Sequence, residues 1–279
     1  SLGYHPSIRI GMARRTYVPN LCMRISRWMI VIARMKRRMK RIEEVYVVNK
    51  SIHYFFLRVR QMTYLISILI PTLIERRNEF NIMIHDLYRQ IEKHHLKDDV
   101  EIISICDDRS ISLCEKRNMM QKLSSGKYFV HLDDDDEFSH DYCKRIINHI
   151  KSLDQDNLQD IIGYNQLAKV SGGRFIVKPH LNAPLSLKPV GNQFDEKGQI
   201  KKDVIPEFYR YPWQFCLWHE RFKGVYRTES DSPSPDKPHM YEDLNWLKKV
   251  QLEHPKDMSY IDFIGHTYNF DDPSKTTSQ

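Results

Sequence analysis

Tyr128-Phe129-Val130-His131-Leu132-Asp133-Asp134-Asp135-Asp136 is the stretch whose reading sets the architecture. Its first five residues make an apolar run of strand length, and four acids follow without a spacer. Like charges at this density repel and cost stability unless a cation sits among them. Hard divalent ions such as Mg²⁺ and Mn²⁺ prefer carboxylate oxygens. In open α/β sheets, ligands bind just outside the carboxyl ends of strands. An acidic run is otherwise a solvated loop; this one sits directly behind a buried strand.

Working outward, Leu65-Ile66-Ser67-Ile68-Leu69-Ile70 is a continuous apolar strand halted by Pro71-Thr72. A helix is expected over residues 75–94, with Phe80, Ile82, Met83, Ile84, Leu87 and Ile91 on its apolar face. Val100 to Cys106 reads as a second strand ending at Asp107-Asp108, and a helical stretch over 112–123 leads to the acid-tipped strand. Strands that are apolar throughout and alternate with helices predict a doubly wound, mainly parallel α/β sheet. Downstream, a helix over 139–153 precedes strands at Ile161–Tyr164 and Arg174–Val177, which flank a Gly172-Gly173 turn. Pro179 to Tyr211 reads as a long loop over a site, the usual role of structureless segments of that length. Tyr211 to Trp218 concentrates aromatic residues, and Ser230–Pro238 is a flexible connection. A helix over 241–251 opens with Glu242-Asp243, and Ile261–His266 is a last strand.

Charge divides the 279 residues unevenly. Residues 1–62 carry 14 Lys and Arg against Glu43 and Glu44, a net of +12, whereas the remainder carries −5. The expected organisation is a basic, partly helical N-terminal extension over 1–62, a main domain over 63–270 and a tail over 271–279. Within the domain, 63–138 would form the nucleotide-binding half and 139–270 the acceptor-binding half. Apolar residues at spacings of three and four over 24–46 predict an amphipathic helix. Its basic flanks suit an anionic membrane surface, or a helix docked on the body with a solvated face. No nucleic-acid reading motif accompanies the charge, so no nucleic-acid partner is expected. Five cysteines (Cys22, Cys106, Cys114, Cys143, Cys216) contain no CxxC pair, which favours reduced thiols over a disulfide framework. No apolar stretch reaches bilayer length and no signal peptide is evident. These features predict a protein of the cytoplasm or of the cytoplasmic face of a membrane.

Three acidic clusters thus stand at strand or helix ends: Asp107-Asp108, Asp133 to Asp136, and Glu242-Asp243. Together with Ser67 to Thr72, Glu101–Ser110, Lys116-Arg117-Asn118 and Gly126 to Leu132, their order resembles the family 2 glycosyltransferases with their D-x-D motif. The resemblance covers residues 65–250 and implies a GT-A-type, Rossmann-like fold. It implies transfer of a sugar from a nucleoside-diphosphate sugar, a UDP-sugar foremost, to a hydroxyl on a glycan, lipid-linked sugar or protein glycan. It also implies Mn²⁺ or Mg²⁺ as cofactor, held by Asp133 and Asp135, with His266 a further candidate ligand. Pro71, Thr72, Asp107, Asp108, Arg117, Asp133 and Asp134 would contact the nucleotide sugar. An inverting transfer needs a base for the acceptor hydroxyl; Asp243 matches the family's base, with Glu242 the fallback. Trp213, Trp218 and His219 would offer an acceptor platform, since sugars stack on aromatic faces; core packing is the competing role.

Departures matter. After Pro71-Thr72 the chain runs Leu73-Ile74-Glu75-Arg76-Arg77-Asn78 where the family has Asn and Arg, and Arg109 replaces its usual Gly. The Q-x-x-R-W signature of processive synthases is not evident, which favours a single-transfer enzyme. Two other readings compete. A catalytically inactive GT-A-like scaffold at a membrane would keep the fold without the chemistry. An Fe(II)/2-oxoglutarate oxygenase could use His131, Asp133 and His266 as a two-histidine, one-carboxylate set, though on an antiparallel fold.

Overall fold

The computed structural model describes residues 64–170, 172–191, 193, 201, 204–228 and 242–269, together with the backbone of Met29–Ala33. Most of the N-terminal extension, Cys22, the 230–238 connection and the 271–279 tail lie outside the described residues. In chain order the elements are β1 (Met29–Ala33), β2 (Ile66–Leu73), α1 (Arg77–Lys93), β3 (Val100–Asp107), α2 (Leu113–Leu123), β4 (Tyr128–His131), β5 (Glu137–Phe138) and α3 (Tyr142–Ser152). Then follow β6 (Ile161–Val170), β7 (Gly173–Pro179), β8 (Lys188–Pro189), β9 (Glu207–Arg210), β10 (Leu217–His219), α4 (Glu242–Leu252) and β11 (Met258–Asn269).

β2 is buried at every position and pairs in parallel with β3 on one side and β4 on the other. The crossover β2–α1–β3 runs one way across the sheet and β3–α2–β4 runs back. Right-handed connections therefore put α1 and α2 on opposite faces. α1 packs against α3, while α2 reaches α4 through Arg117. β10 lies antiparallel between β4 and β6, and β11 runs parallel to β6. Five strands (β3, β2, β4, β6, β11) thus point the same way with one reversed strand among them. This is the α/β, doubly wound, mainly parallel architecture expected from the sequence.

Local chemistry explains the elements. Ser112 Oγ caps α2 by accepting from the Glu115 N–H at 3.1 Å, the Ser-x-x-Glu arrangement of a capping box. Gly126 has no room for a side chain: a Cβ there would stand 2.6 Å from the Ser67 nitrogen. Its N–H donates to Ser67 Oγ at 2.8 Å, docking the entry of β4 against β2. Pro71 is tolerated in a central strand because β4 ends at His131, opposite Leu69. The missing N–H therefore falls where no neighbour on that side needs it.

Three elements differ from expectation. β6 runs ten residues rather than four, because its polar middle is satisfied in place: Asn165 Nδ2 donates to Asp262 Oδ1 at 3.0 Å and Gln166 Nε2 bonds His266 Nδ1 at 2.8 Å. Part of the 179–211 stretch forms β8 and β9, which extend the sheet past β7. Within the expected helix over 24–46, Met29–Ala33 are a strand instead, antiparallel to Ile102–Cys106 of β3. Met-Ile-Val-Ile-Ala is itself a short apolar run, and β3 presents an edge that such a run can pair.

Candidate functional site

The carboxyl ends of β2, β3 and β4 converge with the start of α4. α2 supplies the side chain that joins the β4 exit to α4. Arg117 is 3% exposed; its Nη2 donates to Asp133 Oδ1 at 2.6 Å and its Nη1 to Asp243 Oδ1 at 2.7 Å. The same Nη1 pairs with Glu242 Oε1. Burial alone would pull the Arg117 guanidinium down, but Asp133 and Asp243 hold it above its usual value. Behind it, Arg227 Nε meets Glu242 Oε2 at 2.8 Å, and its guanidinium lies 4.2 Å from the Trp246 ring centre. Burial, reinforced by Arg227 and Arg117, lowers His131 well below its normal value and keeps it neutral.

Each member of the acid quartet has a different partner. Asp133 keeps a third of its side chain exposed beside Arg117. Asp134 is buried; its Oδ2 accepts from Thr72 Oγ1 at 2.6 Å and its Oδ1 lies 2.9 Å from Arg76 Nη2. Burial raises it to about 7. Asp135 Oδ2 lies 2.7 Å from the same Arg76 nitrogen, and burial together with Asp133 raises its carboxyl. The Asp136 side chain packs against His266 Nε2 at 3.0 Å, and burial raises its carboxyl. The sequence argument required cations among the acids; Arg76 and Arg117 of the chain stand there.

Of these residues, Arg117, Asp133, Glu242 and Asp243 border an open cleft of about 970 Å³, which is also lined by Leu113, Leu185, Ser186, Arg210, Leu244, Lys248 and Gln251. The structure thus brings together Asp133, Arg117, Glu242 and Asp243, which the sequence placed in three separate motifs.

Other expectations need correction. His266 is enclosed: Asp136 and Gln166 engage its two ring nitrogens, and Phe215 stacks on it at 4.2 Å, so it has no face for a metal. Trp218 is a core residue, edge-on to Phe222 and Trp246, with Nε1 donating to Trp213 O at 3.2 Å. His219 pairs with Tyr128 at the amino end of β4, the edge opposite the cleft. Trp213 is buried, with Arg210 lying 5.8 Å from its ring, so it backs a lining residue rather than forming a platform. Asp107 is turned inward: Lys116 Nζ reaches its Oδ1 at 2.7 Å and the Ile111 N–H its Oδ2 at 2.7 Å. Asp108 is exposed, whereas Pro71, Thr72 and Asp134 are buried at the β2 and β4 exits. Glu242 is locked between two guanidinium groups, whereas Asp243 is 45% exposed. The oxygenase set does not form, since His131, Asp133 and His266 face Arg227, Arg117 and Asp136 respectively. Arg76, Arg210 and Arg227 were not singled out as site residues from the sequence, because their partners are remote in it, and Lys248 because only the fold brings it to the cleft.

Carboxylate oxygens are the donors a hard divalent ion prefers. Asp133, Asp134, Asp135, Glu242 and Asp243 face the guanidinium groups of Arg76, Arg117 and Arg227, and Arg210 and Lys248 add two further cations to the cleft lining. Asp133 and Asp135 each engage an arginine through one oxygen. No group of three or more His, Cys, Asp or Glu among the described residues forms a metal cage. Mg²⁺ is commonly held by only one or two carboxylates, with substrate phosphates and water completing its shell. The four described cysteines are free, and no described helix is long and apolar enough to cross a membrane.

No model of a known protein family matches the chain, and no curated protein does. Among solved structures, S. aureus TarS 1–349 aligns with a TM-score of 0.44 and 12% identity, covering 73% of this chain and 60% of that one. The complex of TarS 1–349 with UDP-GlcNAc gives 0.45 and 12%, over 77% and 61%. A further S. aureus TarS structure gives 0.43 and 13%, over 73% and 36%. The chain therefore spans less than two thirds of these TarS chains.

Proposed function

We propose that this chain is a metal-dependent, inverting glycosyltransferase that moves a sugar from a nucleoside-diphosphate sugar, a UDP-sugar foremost, to a hydroxyl acceptor. The observation that carries this reading is the Arg117 bridge. One buried guanidinium ties the exit of β4 to the start of α4, so that Asp133 and Asp243 share a cleft wall.

Asp133 and Asp135 would hold Mn²⁺ or Mg²⁺. Bound there, the ion supplies Lewis-acid neutralisation of the charge that gathers on the departing diphosphate. Asp243 is the base, because it is the acid of the α4 pair that solvent and substrate can reach. The acceptor oxygen bonds to the anomeric carbon as the bond from that carbon to the diphosphate oxygen breaks. The hydroxyl proton passes to Asp243, and the electron pair leaves with the diphosphate. Arg117 aims Asp243 through Oδ1, and Glu242 holds Arg117 in place from behind.

The test is Mn²⁺-dependent hydrolysis of a panel of UDP-sugars by the wild type and Asp135→Asn. Loss of hydrolysis in the variant is expected. Full metal-dependent hydrolysis by Asp135→Asn would remove the metal assignment. The +12 charge of residues 1–62 supports a partner at an anionic membrane or a lipid-linked acceptor. Flotation with anionic vesicles, repeated at high salt, tests that part separately.

A further inference from the structure

Every carboxylate that lines the cleft is already committed: Asp133 and Asp243 to Arg117, Glu242 to Arg117 and Arg227. Two lining cations are not. Arg210 ends β9 and donates from Nε to Leu185 O at 3.0 Å, which fixes its fork in the cleft. Lys248 stands on α4 in line with Leu244 and Gln251, the one-face spacing of four and then three residues. Among the described residues neither cation has a carboxylate partner.

Holding a guanidinium this way is costly. Burial pulls Arg210 below its usual value, with the field of Asp243 the main opposing influence. Arg210 is part-buried and Lys248 exposed, and a part-buried guanidinium without a carboxylate partner gains from an incoming anion. Leu113, Leu185 and Leu244 share the lining and supply its apolar part. Ser186 and Gln251 add a hydroxyl and an amide able to donate.

We propose that Arg210 and Lys248 form a subsite for an oxyanion, a phosphate or carboxylate group carried by the acceptor, beside Asp243. The assignment to the acceptor rests on the glycosyl-transfer reading, in which the group next to Asp243 is the hydroxyl that attacks. A neutral acceptor would leave this pair of charges without a partner.

The experiment is calorimetric titration of inorganic phosphate and of UDP with Mn²⁺ into the wild type, Arg210→Met and Lys248→Met. Phosphate is expected to bind the UDP-loaded wild type and to weaken about tenfold or more in Arg210→Met, the scale of a lost charge-assisted hydrogen bond. UDP affinity should change less than about twofold on that same scale. Equal weakening of UDP and phosphate would place the donor's own diphosphate on these cations and overturn the proposal. UDP binding with no phosphate binding would sink the subsite and leave the transferase reading standing. Binding of neither would end both. Lys248→Met, at an exposed helix position, makes the same comparison if Arg210→Met does not fold; unchanged phosphate affinity there would count against the pair.

Discussion

Lys116 and Arg117 are neighbours on α2, yet one closes a strand exit and the other opens one. Lys116 is 1% exposed and ends on Asp107 Oδ1 at 2.7 Å and Thr72 O at 3.2 Å. Asp107 in turn caps the following turn, so the exit of β3 is satisfied within its own neighbourhood. Arg117 sends its fork to β4 and α4, and both Asp133 and Asp243 retain substantial exposure. Acids at a strand exit make a site only where the counter-ion is shared between elements and part of each carboxylate faces the cleft. Where the partner is local and complete, the same acids are architecture.

The largest effect that would break this contrast is the removal of Lys116. Lys116→Met leaves Asp107 buried with no cation and should cost about 3–5 kcal/mol in chemical denaturation. A loss below about 1 kcal/mol, on the same scale, would show that Asp107 finds another partner and is not locked. Asp243→Asn should act in the opposite sense. Donor binding and stability stay near wild type, while transfer falls about a hundredfold or more, the scale of a lost general base. Unchanged single-turnover transfer would take Asp243 out of that role and dissolve the contrast from the other side.

The sequence made the contrast only half legible. Strand, helix and acid-tipped exits were readable because each depends on a few adjacent residues: β2 from an unbroken apolar run, α2 from Ser112 and Glu115, the β4 exit from four aspartates. Partners were not readable. Nothing near Asp107 in the chain distinguishes it from Asp133, since the difference lies in which of two successive basic residues on α2 turns toward which strand. Trp218 and His266 misled for a related reason. A tryptophan in an aromatic run and a histidine after a strand fit a binding role as well as a buried one. Only the packing of Trp246 on the first and of Asp136, Gln166 and Phe215 on the second separates the two. At Met29–Ala33 a helical periodicity gave way to a strand because the unpaired edge of β3 is a tertiary fact.

Thr72 sharpens the comparison more gently. Its hydroxyl donates to Asp134 at 2.6 Å, and Thr72→Val should cost about 1–2 kcal/mol by leaving a buried carboxylate oxygen without its donor. If Asp134 is architecture, as Asp107 is, UDP affinity will not follow that loss. A tenfold weakening of UDP measured by titration would return Thr72 and Asp134 to the nucleotide-binding set.

Arg76 gives the smallest and most discriminating effect, because it stands on the boundary between the two kinds of exit. One of its nitrogens bridges Asp134 and Asp135, the first buried and the second the proposed metal ligand. In Arg76→Gln the metal-free protein should lose about 1 kcal/mol, because Asp134, already raised to about 7 by burial, takes up a proton rather than staying an unpaired buried charge. Mn²⁺ should then bind about fivefold more tightly, because a positive charge that repels it at close range is gone. Electron paramagnetic titration of Mn²⁺ reads this without any turnover. A weaker Mn²⁺ affinity would mean that Arg76 holds the carboxylates in the geometry the ion needs. The β4 exit would then depend on its local cation as fully as the β3 exit depends on Lys116.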